Sequence, residues 1–458
     1  MFSCIWAFGS VLRNQVRKDF DKMLRSKVTG NKEELSTIAQ LKNKLLKKNK
    51  QAEQGDFKPT PVFEKPAKGP FFLVPFPIEH SIFDVFFDLD SNTWAHWEGI
   101  KNEFPTGQFI QKRKHYYNVF ITTTETIRYA YLIDAHILAC NSLLLIGPTG
   151  SGKSWICRES IFNYIPRVSH RFRIANVCFS NNTNAEKAQY FIDSKLERRS
   201  RKGAYGPPFG KNFVFFIDDL MMPARDDYDV QSSNELLRQW FDFQGWYDHR
   251  NFELKKIEDI QFLACITTQD SHKNAISPRN EWHWTYLGVN PDDRQYLEML
   301  NQIMDLVSIN WPNTLQNAIA STVRATLDVY SLIEQTIKPT PAKFFYMFNA
   351  RHMFKVLYGL ADIDPGYLDE FNLVKAWYNE VFRTYYDRMV DPTDRKNLYQ
   401  KMNEITRRYY DLGKNKVAQK PRDLLFCTFN PGRDHLYIEV RDISEVRYLY
   451  SVQKDAQN

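Results

Sequence analysis

Between positions 141 and 162 the chain reads NSLLLIGPTGSGKSWICRESIF, an apolar run, a glycine-rich turn and then a stretch compatible with a helix. The turn comprises Gly147, Pro148, Thr149, Gly150, Ser151, Gly152, Lys153 and Ser154, and it matches the pattern GxxxxGK[ST] in the strand–turn–helix context which that pattern requires. The spacing has a chemical reason. Glycines let successive backbone N–H groups turn inward around phosphate oxygens, the lysine reaches the β- and γ-phosphates, and the serine hydroxyl ligates Mg²⁺. Gly147 through Ser154 are therefore expected to hold a nucleoside triphosphate, with Lys153 on its phosphates and Ser154 on the metal.

A second element supports this expectation. FVFFIDDLMMP, at positions 213 to 223, is an apolar run ending in Asp218 and Asp219, as a buried strand would deliver carboxylates to the mouth of a parallel sheet. Asp218 is expected to hold Mg²⁺ through water, and Asp219 to act as the base or positioner for an attacking water. From SLLLI to about position 290, strands and helices alternate: RIANVCF, NAEKAQYFIDSKLERR, NFVFFID, SSNELLRQWFDF and IQFLACIT. That order predicts an α/β fold, a parallel sheet between helices. Beyond 290 the pattern is helical only, as in STVRATLDVYSLIEQ and LVKAWYNEVFRTYYDRM, which predicts a helical subdomain.

Ahead of the turn, TTTETIRYAYLIDAHILACN sets a threonine cluster before Glu125 and an apolar period, a capped helix. Positions 1 to about 48 read as helical, with Ile5, Phe8, Val11 and Leu12 on one face. Six prolines between 49 and 79 mark an extended connector. The net charge of +7 over 458 residues is too small to argue for nucleic-acid binding, and no segment approaches the roughly eighteen apolar residues of a membrane span. Cys4, Cys140, Cys157, Cys178, Cys265 and Cys427 are scattered, without zinc-ligand spacing, which fits a reducing compartment. Trp240, Trp246 and Tyr247 are expected to be buried rather than to stack on a base.

The spacing of turn, acidic strand end and trailing helices points to the AAA+ class of P-loop ATPases, an α/β core with an all-helical lid. The longer run YFIDSKLERRSRKGAYGPPFGKNFVFFIDDLMMPARDDYDVQSSNELLRQWFDFQGWYD resembles the third AAA+ module of an axonemal dynein heavy chain, where GPP.GK, DDLNMP and ELLRQW.D...WYD occur in this order. TTTETIRYAYLID and KPTPAKFFYMFNARHMFKVLYGL are similar to the helix before the phosphate turn and to a lid helix of such modules. The resemblance implies five parts: a helical remnant of a preceding module (1–48), a proline-rich lead-in (49–115), a large α/β subdomain (116–290), a lid (291–395) and a connector toward a following module (396–458). It also implies that Arg351 reads the γ-phosphate, and that the chain is a fragment which binds ATP and Mg²⁺ among neighbouring modules of a ring. Other dynein chains would be partners, and microtubules only through the full-length motor. The implied location is the cytoplasmic cytoskeleton, in the axoneme of a cilium or flagellum, with no nucleic-acid or membrane partner.

Several positions depart from the family pattern. In ACITTQDSHKNAISPRNEWHW the glycines of the corresponding loop are absent. Thr267 or Thr268 stands where the resemblance puts a nucleotide-sensing residue, Lys273 and Asn274 stand at an Arg-Asn pair, and Arg279 keeps the arginine able to face a neighbour's nucleotide. Asn280 and Trp282 replace a phenylalanine and an arginine. Met221 stands at the asparagine of DDLNMP, and Asp219, which keeps the second aspartate of that motif, stands where hydrolytic AAA+ proteins usually carry a glutamate, so slow hydrolysis is expected. Two other functions compete with a regulatory dynein module: a non-hydrolysing nucleotide-binding remnant and a stand-alone P-loop ATPase.

Overall fold

The computed structural model describes residues 2–12, 14–29, 81–88, 91–101, 121–164, 171–199, 204–248, 252–268, 275–361, 363, 365–410, 424–427 and 437–440, together with positions 444 and 447. The proline-rich segment 49–79, Lys273 and Asn274 lie outside the described residues.

Two helices open the chain, α1 (Phe2–Gly9) and α2 (Asn14–Thr29). The expected single apolar face is corrected here. Ile5 and Trp6 are buried, whereas Phe8 is exposed within the helix, and Val11 is exposed beyond it, where the helix has stopped at Gly9 and the chain turns. A Cβ at Gly9 would stand 2.7 Å from the Phe83 ring, so this turn packs against its neighbour without a side chain of its own. A hairpin of β1 (Val85–Asp88) and β2 (Thr93–His96) follows, then α3 (Trp97–Lys101) and α4 (Thr124–Leu138). The threonine cluster does cap α4. Thr123 accepts from the backbone N–H of Thr126, and the Thr126 hydroxyl answers the Thr123 N–H at 2.8 Å; Glu125 pairs instead with Arg128. Arg128 is buried, and desolvation lowers its pKa to about 10. Its guanidinium lies over the Trp6 ring and donates to the Phe83 carbonyl at 3.2 Å, joining three segments.

The central sheet is wholly parallel. Its strands are β3 (Leu143–Gly147), β4 (Phe172–Cys178), β7 (Asn212–Asp218), β10 (Ile260–Thr267) and β11 (Thr285–Gly288), in spatial order β11-β3-β10-β7-β4. Phe213 through Ile217 are all buried, as expected of a strand covered on both faces. One face is covered by α4 and by α5 (Lys153–Arg158), which continues as a π-helical turn, Glu159–Tyr164. The other face carries α6 (Ala185–Asp193) and α7 (Ser232–Phe243). A single long helix over 184–199 is not what forms: α6 ends at Asp193, and β5 (Glu197–Arg198) joins β6 (Ala204–Gly206), β8 (Gly245–Tyr247) and β9 (Leu254–Ile257) in a second small sheet. Asp193 is held there by Trp246 and Lys255. Trp240 and Trp246 are buried as expected, but Tyr247 is 55% exposed at the end of its short strand.

A short helix, α8 (Pro278–Glu281), precedes β11. The lid then follows as α9 (Asp293–Val307), α10 (Gln316–Thr336), α11 (Ala350–Leu360), α12 (Glu370–Val381) with a π-helical turn Phe382–Tyr386, and α13 (Pro392–Tyr409) around one apolar core. Trp377, fully buried, anchors that core and donates to Thr326 Oγ1 at 2.8 Å. The helical-only pattern after 290 is also corrected, since β12 (Leu425–Cys427) and β13 (Ile438–Val440) form an antiparallel pair too short to show a period. Among the described residues, no helix is long and apolar enough to cross a membrane.

Asp134 on α4 is 8% exposed and its Oδ1 has no hydrogen-bond partner, so burial pushes its carboxyl up to about 8. An unfolded aspartate titrates near about 3.9, and the folded state therefore binds the proton more tightly between the two values. Stability is full below the unfolded value and is lost as pH rises toward the folded one. Asp134→Asn is expected to raise the melting temperature by several degrees at about pH 9 and to change it little at about pH 4. Equal shifts at both pH values would show that ionisation of Asp134 is not the cause.

Candidate functional site

The glycine-rich turn leaves the carboxyl end of β3, the strand between β11 and β10. Gly150 and Gly152 take φ of +86° and +90°, the left-handed region where a side chain is strained. At Gly147 the constraint is space. A Cβ there would come 2.2 Å from the Val289 carbonyl oxygen, which belongs to backbone and cannot swing aside.

Lys153 is buried, and its ammonium folds back on the turn, donating to the carbonyls of Gly147 at 2.7 Å and Pro148 at 2.8 Å. Burial lowers its pKa, against the opposing pull of Asp219 and Asp218. The Ser154 hydroxyl donates to Asp218 Oδ1 at 2.7 Å, so the two expected metal-side oxygens already meet. Arg158, one helical turn beyond Ser154, reaches Asp218 Oδ2 at 3.3 Å. Sequence reasoning missed Arg158; its i, i+4 relation to Ser154 was the available signal.

These groups border a cavity of about 810 Å³ between the sheet and the lid. Its wall includes Gly150 through Ser154, Arg158, Asp218 and Arg351, with Tyr296, Met299 and Ile303 of α9 making an apolar stretch. Arg351 is placed by the cap of α11, where Asn349 Oδ1 accepts from the Arg351 N–H at 3.2 Å. Asn349 itself packs close to Gly150; a Cβ at that glycine would sit 3.3 Å from it. The lid cap and the phosphate turn are thus adjacent, and the structure brings together Lys153, Ser154, Asp218 and Arg351.

Asp219 stands apart from this group. It is exposed and adopts φ of +55°, and among the described residues it is not part of the cavity wall. Burial of its inner edge raises its carboxyl pKa, Asp218 adds to this, and Lys153 and Arg351 oppose it. Met221 is half-buried against the sheet's core and also outside the wall. Thr267 lies opposite Gly147 in the sheet register, and the Thr268 N–H donates to the Gly147 carbonyl at 3.0 Å; neither side chain belongs to the wall. Arg279 is largely exposed, 3.6 Å from Glu235. Asn280, by contrast, is fully buried, donates to the Asn234 carbonyl and accepts from Trp284 Nε1, both at 3.0 Å. The asparagine thereby ties α8 to α7.

Known sequences match this chain along most of its length. A model of the P-loop containing dynein motor region matches residues 109–291, one of the dynein heavy chain AAA lid domain matches 1–99, and one of the AAA+ lid domain matches 322–420. Mouse dynein axonemal heavy chain 1 is 32% identical over 367 residues, 75% of this chain and 8% of the relative. Rat dynein axonemal heavy chain 12 is 28% identical over 479 residues, spanning all of this chain and 14% of the relative. The chain belongs to the dynein heavy chain family. Within that family it is an AAA+ P-loop module of the axonemal type with its lid, and a P-loop of this kind is a nucleotide-binding element. It spans a small part of the dynein heavy chains it matches.

Proposed function

We propose that this dynein module binds Mg·ATP at Gly147 through Ser154, stands third in the motor ring, and hydrolyses its nucleotide slowly to regulate the ring. What supports the reading is the convergence of Lys153, Ser154, Asp218 and Arg351 on one cavity beneath a lid. The phosphates would lie along the turn, taking the ammonium protons that Lys153 now gives to the Gly147 and Pro148 carbonyls. Ser154 and Asp218 form a hard oxygen pair of the kind Mg²⁺ prefers, and they would hold it together with phosphate oxygens. When bound, Mg²⁺ neutralises charge on the β- and γ-phosphates. Arg351 would close the lid on the γ-phosphate from the first turn of α11. In the full-length motor, beside neighbouring modules and other dynein chains, the nucleotide state here would contribute to ATP-driven, minus-end-directed movement on microtubules in the axoneme of a cilium or flagellum.

The position of Asp219 outside the cavity wall favours a second reading, a module that binds ATP without hydrolysing it. Titration of a fluorescent ATP analogue, with and without Mg²⁺, tests the binding that both readings share. Saturable, Mg²⁺-dependent binding is expected, and a folded chain without it would sink both. Single-turnover hydrolysis then separates them.

A further inference from the structure

The wall of the cavity does not end at the phosphate turn. Along α11 it continues from Arg351 through Lys355 and Tyr358 to Gly359, about 12 Å by helical rise, and there it meets Arg383 on the π-helical turn after α12. The Asp387 N–H donates to the Phe382 carbonyl at 3.0 Å, five residues back, which widens the turn carrying Arg383.

Arg383 is ion-paired with a buried carboxylate. Glu380 is 1% exposed, and its Oε2 lies 3.3 Å from the Arg383 guanidinium. Gly359 makes the room for it, since a Cβ there would stand 2.2 Å from Glu380 Oε2. The second oxygen, Oε1, accepts from the Tyr437 hydroxyl at 2.7 Å, and that hydroxyl in turn accepts from Asn379 Nδ2 at 2.6 Å. Tyr437 leads into β13, outside the lid region matched by the family model, and it is buried against Ile363 and Phe426. Glu439 pins the same hairpin to the lid through Tyr367 at 2.5 Å and Lys375 at 2.9 Å. One carboxylate thus holds a cation in the cavity wall and a side chain of the terminal hairpin.

We propose that Glu380 couples the nucleotide cavity to the β12–β13 hairpin, with Arg383 as the positioning residue at the base end of the nucleotide and Tyr437 as the contact that reports it. This rests on the nucleotide-binding reading above. A guanidinium paired with a carboxylate offers its remaining donors, or its flat face, to a purine. Free of the Tyr437 hydroxyl, Glu380 turns more fully to Arg383 and draws it away from the ligand. Coupling of this kind is reciprocal: the hairpin alters nucleotide affinity as much as nucleotide alters the hairpin.

A double-mutant cycle on the whole chain tests it, using a fluorescent ATP analogue as probe and thermal melting as a check on folding. Tyr437→Phe is expected to weaken binding threefold or more in the native background and to have no further effect in an Arg383→Gln background. If the native chain binds and Tyr437→Phe leaves Kd unchanged, the coupling is refuted while the nucleotide reading stands. An equal loss in both backgrounds also refutes it, because the effect would then bypass Arg383. If the native chain does not bind the probe, the nucleotide reading falls and takes the coupling with it.

Discussion

Replacing Lys153 by alanine is expected to weaken nucleotide binding by about a hundredfold. A hydrogen bond to a charged group contributes about 1.5–3 kcal/mol, more where water is excluded, and about 1.4 kcal/mol is tenfold in affinity. Lys153 is buried beside the turn, and its three protons are already directed at turn atoms. A phosphate that takes two of them gains two such contacts, which the alanine cannot supply. Equilibrium titration measures the loss, and thermal melting shows whether the turn has held its shape. Unaltered affinity in a folded variant would mean that the phosphates do not lie on this turn.

Lengthening Asp219 by one methylene is expected to speed hydrolysis. Asp219→Glu adds roughly 1.5 Å of reach, and misplacement by about 1 Å can cost on the order of a hundredfold in rate, so a gain of tenfold or more in single-turnover hydrolysis is expected. The change has a structural cost. At φ of +55° an aspartate is tolerated better than a glutamate, so the faster variant should also be less stable, by about 0.5–1 kcal/mol. The pH profile gives an independent check. A base must be ionised to accept a proton, and the Asp219 pKa is raised by burial and Asp218, so the native rate should climb with pH through a midpoint above the ordinary aspartate value. A glutamate variant no faster than the native chain would favour the binding-only module.

The phosphate turn and the acidic strand end were legible because each requires a local pattern: glycines where φ is positive, and an apolar run where both faces of a strand are covered. Asn212–Asp218 and Ile260–Thr267 form as strands at the limits read from their composition. Arg351 was legible only through resemblance, since its place depends on the Asn349 cap and on how the lid sits over the sheet. Glu380, Gly359 and Tyr437 could not be read at all. They are far apart in sequence, and nothing local distinguishes a glycine that admits a distant carboxylate from one that bends a helix. The small sheet of β5, β6, β9 and β8 escaped for a similar reason, as strands of two to four residues show no period. Asn280 read only as a departure from a phenylalanine of the family pattern, and the structure gives it a packing role.

The turn after α1 has a consequence for solubility. The Ser10 carbonyl accepts from the Gly288 N–H at 3.1 Å, and the Ser10 hydroxyl donates to the Tyr286 carbonyl at 2.9 Å. Both partners lie on β11, the outermost strand on that side of the parallel sheet. An outer strand with free backbone donors and acceptors is a template on which another chain can add a strand. Ser10 occupies that position on β11 with a turn that cannot extend the ladder. The first dozen residues therefore guard the sheet against self-association, a task separate from anything that happens in the cavity.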